Sequence, residues 1–180
     1  IINTQQDINP LRDKEILATE LILKDLETLE KRMLAVEREA KAGIKEAQKE
    51  LTAIQKAKAL LDKGIVLSET NELSEEEKEI LQNLCLLCLK KRLYLFNGEA
   101  SYVSQETKDL FEKNNWHYLI LDVLTEFEAA DMSCEERTEF GLPAESGLNA
   151  LIKKCYEILG LITFLTTGQD ETRAWTIKKG

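Results

Sequence analysis

The sequence predicts an α/β protein: half of a parallel-sheet domain, with an antiparallel pair of long helices ahead of it and the start of a β-rich module behind it. Three observations lead there. Ile22, Leu26, Leu29, Met33, Val36 and Ala40 step by fours and threes, a spacing that keeps one narrow apolar seam on one side of a helix. Arg92-Leu93-Tyr94-Leu95-Phe96 and the run from His117 to Val123 are short and nearly all apolar, and they flank a helical stretch. That is the pattern of strands buried on both faces of a parallel sheet. Ile162–Thr166 and Thr172–Ile177, rich in β-branched and aromatic residues, stand on either side of Gly168-Gln169-Asp170 and read as a hairpin.

Residues 1–11 read as a connector, with Asn9-Pro10 as a turn or helix start in which Pro10 is tolerated at the first turn. The helical hairpin is expected over 12–62. Lys41-Ala42-Gly43-Ile44-Lys45 interrupts the seam, and Ala47, Leu51, Ile54, Lys58 and Leu61 resume it. A turn so short brings the second helix back antiparallel to the first, and so narrow a stripe predicts a projecting coiled-coil arm, the alternative being a hairpin packed along the flank of a domain. Residues 63–160 are assigned to the α/β part. Ser74 and Glu77 form a capping box that opens a helix running through Ile80, Leu81 and Leu84 to about Leu89. The first strand ends on Asn97-Gly98-Glu99, Ser104 caps a helix reaching Lys113, and the second strand completes a β-α-β unit. Ser133 and Glu136 form a second capping box, Leu142-Pro143 breaks that helix, and Glu145-Ser146-Gly147 opens the next. Leu148, Leu151, Ile152, Cys155, Ile158 and Leu159 mark its apolar face, and Gly160 ends it. The β-rich module begins at 161 and extends to 180. With Ile1 first and an apolar alternation barely begun at the end, the chain reads as a piece of a longer protein.

The 180 residues carry a net charge of -9, with 43% hydrophobic and 32% charged side chains. This allows a real core and gives no general attraction for nucleic acid. Lys31-Arg32, Lys90-Lys91-Arg92, Lys153-Lys154 and Lys178-Lys179 are short basic groups that read as solvated faces. No run reaches the length of a membrane span. Cys85, Cys88, Cys134 and Cys155 lie in mostly apolar segments, as suits reduced cysteines inside a cell. Cys85 and Cys88 have CxxC spacing, but the leucines around them and the lack of a second pair favour a buried helix over a zinc knuckle, and the lone His117 is no substitute. No metal site is expected. No GxxxxGK[ST], G-x-S-x-G, HExxH or dinucleotide fingerprint occurs, so these residues by themselves supply no catalytic apparatus.

Ligands of parallel sheets gather at the carboxyl ends of the strands. That rule selects Asn97, Gly98 and Glu99 after the first strand, and Leu124, Thr125, Glu126 and Phe127 after the second. An Asn side-chain amide donates and accepts at once, which matches the edge of a purine. An Asn-Gly after a strand can equally be a plain turn. Glu126 is expected as a loop carboxylate, and nothing nearby provides the partners that a hydrolase needs.

The order of these parts resembles the YchF family, the Obg-like ATPases of the translation-factor class of P-loop NTPases. The resemblance covers almost the whole chain. It begins in Asp7-Ile8-Asn9-Pro10-Leu11-Arg12-Asp13 and continues through Glu20–Arg32. It is strongest in Glu145-Ser146-Gly147-Leu148, Tyr156–Phe164 and the closing Arg173-Ala174-Trp175-Thr176-Ile177-Lys178-Lys179-Gly180. The resemblance implies a P-loop NTPase domain of which this chain is the C-terminal half, a coiled-coil arm inserted into it, and the first strands of a TGS domain. It implies binding and hydrolysis of ATP with Mg²⁺, some GTP binding, association with the ribosome through the arm and the TGS domain, and a cytoplasmic location. The phosphate-binding loop and Mg²⁺ ligands are expected upstream of Ile1.

The resemblance also marks the base-reading element. GTPases of the class use Asn-Lys-x-Asp, whereas the YchF family usually has Asn followed three residues later by Glu, which relaxes the preference toward ATP. Asn97 matches the family Asn, Ala100 stands at the third position after it, and the carboxylate is Glu99. Leu124-Thr125-Glu126 stands where the family has a Ser-Ala-Lys-like segment. Asn97, Gly98, Glu99 and Thr125 are therefore the expected nucleotide-contacting residues. The altered Glu99 and Glu126 positions fit an alternative, a scaffolding or ribosome-interaction module with no working nucleotide site.

Overall fold

The structure, a computed structural model, describes residues 9–180; the predicted connector lies outside it as far as residue 8. The chain divides after Lys91 into two compact units.

The first unit is helical. Asn9 caps α1 (Pro10–Lys41), its side chain accepting from the Arg12 N–H at 3.1 Å, and Pro10 takes the first helical position, where a missing N–H costs nothing. The turn contains Gly43 at φ 86, a left-handed conformation that glycine adopts without strain, and α2 (Lys45–Asp62) follows. The two helices run antiparallel. Arg32 grips Glu50 through two bonds of 2.6 and 2.9 Å, and Lys58 lies 3.2 Å from Glu30. The expected seam is present: Ile22, Leu29, Val36, Ala40, Ala47, Ile54 and Leu61 are buried, with Leu26, Met33 and Leu51 packed against them.

The stripe on α2 is wider than the spacing suggests. Ala53, Ala57 and Leu60 are buried as well, because α3 (Glu75–Gln82) and the turn at Leu67–Glu69 also pack on α2. Lys49–Glu76 at 2.6 Å and Lys56–Glu77 at 2.8 Å link α2 to α3. α2 is thus flanked by two elements, where a free two-helix arm was expected.

The helix expected to continue to Leu89 stops at Gln82. Cys85 turns the backbone at φ 53, and Leu86 and Cys88 drop into the core. Asp25, 1% exposed, holds this segment: its two oxygens accept the N–H groups of Leu87 at 2.8 Å and Cys88 at 2.6 Å. Apolar residues favoured a helix here, but a carboxylate 62 and 63 residues upstream of the two amides supplies the backbone with other partners.

The second unit begins with β1 (Tyr94–Asn97), α4 (Gln105–Lys113) and β2 (Tyr118–Leu121). As expected, β1 and β2 are parallel neighbours, in register from Tyr94↔Tyr118 to Asn97↔Leu121. Ser104 caps α4 by accepting from the Thr107 N–H. Phe111, fully buried, meets Tyr94, Phe96, Trp116 and Tyr118 edge-on at ring separations of 5.1–5.7 Å, a favourable aromatic geometry.

β2 is shorter than the apolar run because Asp122 ends it by capping α5 (Val123–Glu128). The Ser133–Glu136 capping box opens α6 (Cys134–Glu139), which ends earlier than the Leu142-Pro143 break, and Ser146 opens α7 (Gly147–Leu159). Gly160, at φ 65, stops α7. β3 (Leu161–Thr167) and β4 (Thr172–Lys178) form an antiparallel hairpin pairing Ile162 with Ile177 and Phe164 with Trp175. Among the described residues no group of three or more potential ligands could hold a metal ion, and no helix is long and apolar enough to cross a membrane.

Three substitutions test the first unit. Asp25→Ala strands two N–H groups and should cost about 3 kcal/mol. Leu29→Ala removes a fully buried seam leucine and should cost about 2–5 kcal/mol, with half-buried Leu51→Ala costing less. Urea unfolding followed by far-UV circular dichroism reads all three. An Asp25→Ala midpoint equal to wild type would show that the Leu87–Cys88 segment does not depend on this carboxylate.

Candidate functional site

The carboxyl ends of the parallel strands bring the predicted residues to one edge. Asn97 closes β1, and its side-chain Oδ1 accepts the N–H of Val123 at 3.0 Å, the first residue of α5. This bond fixes the amide plane, and it leaves the Nδ2 hydrogens as the donating side of an exposed group. Gly98 extends the ladder by donating to the Leu121 carbonyl at 3.2 Å and then turns at φ 138, a conformation that side chains resist. A Cβ there would meet only Tyr102 Cδ2, at 3.5 Å, so backbone conformation and not space requires glycine.

Glu99 begins the turn Ala100–Tyr102, and its Oε2 accepts from the Ser101 hydroxyl at 3.1 Å. Its carboxylate is therefore tied to its own loop. Thr125 lies in α5 and not in a loop, and its N–H donates to Asp122 Oδ1 at 3.2 Å. Asn97 and Thr125 are thus linked through the first turn of α5. The large apolar side chains of Tyr102, Leu124 and Phe127 are 78%, 65% and 78% exposed.

Sequence reasoning did not identify Asp122 as a cap. The Thr125 N–H and hydroxyl, with the Leu124 N–H, hold its carboxyl below the usual range. An Asp directly ahead of an apolar helical turn was the available signal, masked by the strand-like run before it.

The loop position expected for Glu126 is also corrected: it is buried on the inner side of α5. Oε1 accepts from Arg137 Nη2 at 2.8 Å, and Oε2 accepts from the Ser146 hydroxyl at 2.7 Å. Arg137, itself buried, also donates to the carbonyls of Pro143 at 2.9 Å and Ala129 at 3.4 Å. Burial pushes the Glu126 carboxyl up, but donation from Ser146, Arg137 and the Gly147 N–H outweighs it and holds the group below its ordinary value. Because α7 starts so close, a Cβ on Gly147 would lie 2.1 Å from Leu121 Cδ1 and 3.1 Å from Glu126 Oε1. No spacing rule connects Glu126, Arg137 and Ser146; only the tertiary fold does.

No family model matches the chain. It is similar to the "Ribosome-binding ATPase YchF" of Escherichia coli O157:H7, 34% identical over 189 residues, covering 100% of this chain and 52% of that protein. The protein of the same name from Bacillus subtilis is 33% identical over 192 residues, with 100% and 52% covered. "Obg-like ATPase 1" of Saccharomyces cerevisiae is 32% identical over 199 residues, with 100% and 50% covered. The structure of the Schizosaccharomyces pombe YchF GTPase superposes with a TM-score of 0.69 at 30% identity, covering 100% of this chain and 52% of that one. The chain spans about half the length of the relatives it matches.

The second unit gives two measurable outcomes. Gly147→Ala should destabilise by about 1–3 kcal/mol through overpacking against Leu121. Lowered folded values for Asp122, Glu126 and Glu136 contribute stability that is present above the ordinary carboxylate range, about 4. That stability is lost as pH falls through the folded values. Both tryptophans, Trp116 and Trp175, lie in this unit, so urea titrations followed by tryptophan fluorescence should show an acid-side loss that Glu126→Gln reduces.

Proposed function

The chain is homologous over its full length to the YchF, or Obg-like, ATPases, and on that premise we propose that it forms the base-recognising part of a nucleotide-binding P-loop NTPase. The observation that carries this reading is Asn97: it stands at the carboxyl end of a parallel strand with Oδ1 committed to Val123 and its amide hydrogens left for a purine ring. ATP is the proposed nucleotide, with GTP as a weaker ligand, since no Asp follows Asn97 to accept from guanine. The Gly98 backbone and Thr125 line the same edge, and Glu99 lies beside it. Bound Mg²⁺ would neutralise charge on the phosphates; phosphoryl transfer in this class is mainly positioning and electrostatic stabilisation. The residues of this chain orient the base.

In this reading 12–62 is the inserted coiled-coil arm, the α/β part runs to 160, and 161–180 begins a TGS domain. The arm and the TGS strands are the proposed contacts with the ribosome, and the location is cytoplasmic. Ala100 at the position of the family carboxylate supports a second reading, a scaffolding module on the ribosome without a working nucleotide site.

Ligand-observed saturation-transfer NMR with adenosine and guanosine on the chain separates the two. Adenosine should bind in preference, and Asn97→Ala should weaken it about tenfold, the value of one lost hydrogen bond. Equal signals for wild type and Asn97→Ala would leave Asn97 a turn former. The chain alone should not turn over ATP, and appreciable hydrolysis by it would overturn the proposed division of labour.

A further inference from the structure

We propose that the buried Glu126–Arg137–Ser146 network is a positioning device for the Asn97 amide, reaching it through α5; this rests on the base-recognition reading of Asn97 above. Asn97 does not touch the network. Its Oδ1 is held by the Val123 N–H, so the direction of its Nδ2 donors depends on where the first turn of α5 sits.

Two anchors set that turn. Asp122 caps it locally, accepting from Leu124 N–H at 3.0 Å and Thr125 N–H at 3.2 Å. Such a cap shapes the turn but does not locate the helix. Location comes from Glu126, the one residue of α5 buried in the unit. Its two oxygens are held by Arg137 on α6 and Ser146 at the start of α7. Arg137 is in turn fixed to the carbonyls of Ala129, just past α5, and Pro143. Val123, Leu124 and Phe127 are exposed, so α5 has little apolar packing of its own to fix it. A short helix held chiefly by one side chain takes its position from that side chain. Glu126, Arg137 and Ser146 are positioning residues for Asn97, and the specificity of the base site depends on them.

A network that merely adds stability would leave Asn97 unmoved in whatever fraction stays folded, and NMR on the full chain can tell the two roles apart. Glu126→Gln, Ser146→Ala and Arg137→Lys are compared with wild type by hydrogen exchange at the Val123 amide and by the Asn97 side-chain resonances. Glu126→Gln should cut protection at Val123 about tenfold, as for one lost hydrogen bond, and shift the Asn97 side-chain pair. Tyr94 N–H and Gly98 N–H, which belong to the β1–β2 ladder, should keep their protection. Arg137→Lys, which keeps the charge but not the guanidinium's several donors, should shift the Asn97 pair less than Glu126→Gln does and in the same direction. If Glu126→Gln does not fold, Ser146→Ala, which removes one bond to Oε2, carries the test with a smaller shift of the same sign. Loss of protection spread evenly over Tyr94, Gly98 and Val123, or unchanged Val123 and Asn97 signals, overturns the proposal. Adenosine titration separates the premise: wild type that binds no adenosine while Val123 still responds to Glu126→Gln refutes the base reading and leaves the mechanical link standing.

Discussion

A carboxylate withdrawn from water needs donors for both of its oxygens, and each unit of this chain is built round one that has them. Asp25 takes two backbone N–H groups; Glu126 takes a guanidinium and a hydroxyl. Removing either leaves buried donors unsatisfied, which is more damaging than losing the net strength of the bonds themselves. Both groups also act at a distance along the chain. Asp25 sits on α1 and fixes a segment after α3; Glu126 on α5 holds the last turn of α6 through Arg137 and the start of α7 through Ser146.

This explains which parts of the fold were legible in the sequence. The seams of α1 and α2, the capping boxes of α3 and α6, the parallel strands and the closing hairpin all came from patterns contained within a few turns or one strand. Misplaced boundaries occurred where a distant partner, or a helix cap hidden behind a strand-like run, overrode the apolar pattern. Leu84 to Leu89 has the composition of a helix, yet the Asp25 carboxylate offers its backbone a different set of bonds. Asp122 follows an apolar strand, yet its own cap bonds end that strand. The wide stripe of α2 followed from α3 lying on its second side, which no periodicity within α2 alone could specify.

The candidate site divides along the same line. Asn97 and Gly98 were identifiable because strand ends and glycine turns are local facts. The buried network behind α5 was not, since Arg137 is 11 residues from Glu126 and Ser146 is 20. Thr125 was singled out for its place after the strand; it lies in α5, where its N–H and its hydroxyl both hold Asp122.

The position of Glu126 bears on the charge of the strand-end edge. Where the resembling family has a cation, an acid in the same loop would set a negative charge beside bound phosphates. Here both acid oxygens are turned inward, and the partner on Oε1 is a guanidinium of opposite charge at 2.8 Å. The pair is close to neutral when seen from the strand ends, and its field there falls off faster than that of a lone charge. The remaining carboxylates near the edge are Asp122, which is occupied by two N–H groups, and Glu99, which is bonded to Ser101. Glu99 is the exposed acid of the two, so any repulsion of a phosphate at this edge falls on Glu99 and not on Glu126. Of the departures from the resembling family at the strand ends, the one at Glu126 therefore acts on where α5 is held, while Glu99 and Ala100 change the charge and hydrogen bonding of the exposed edge, where the nucleotide is proposed to bind.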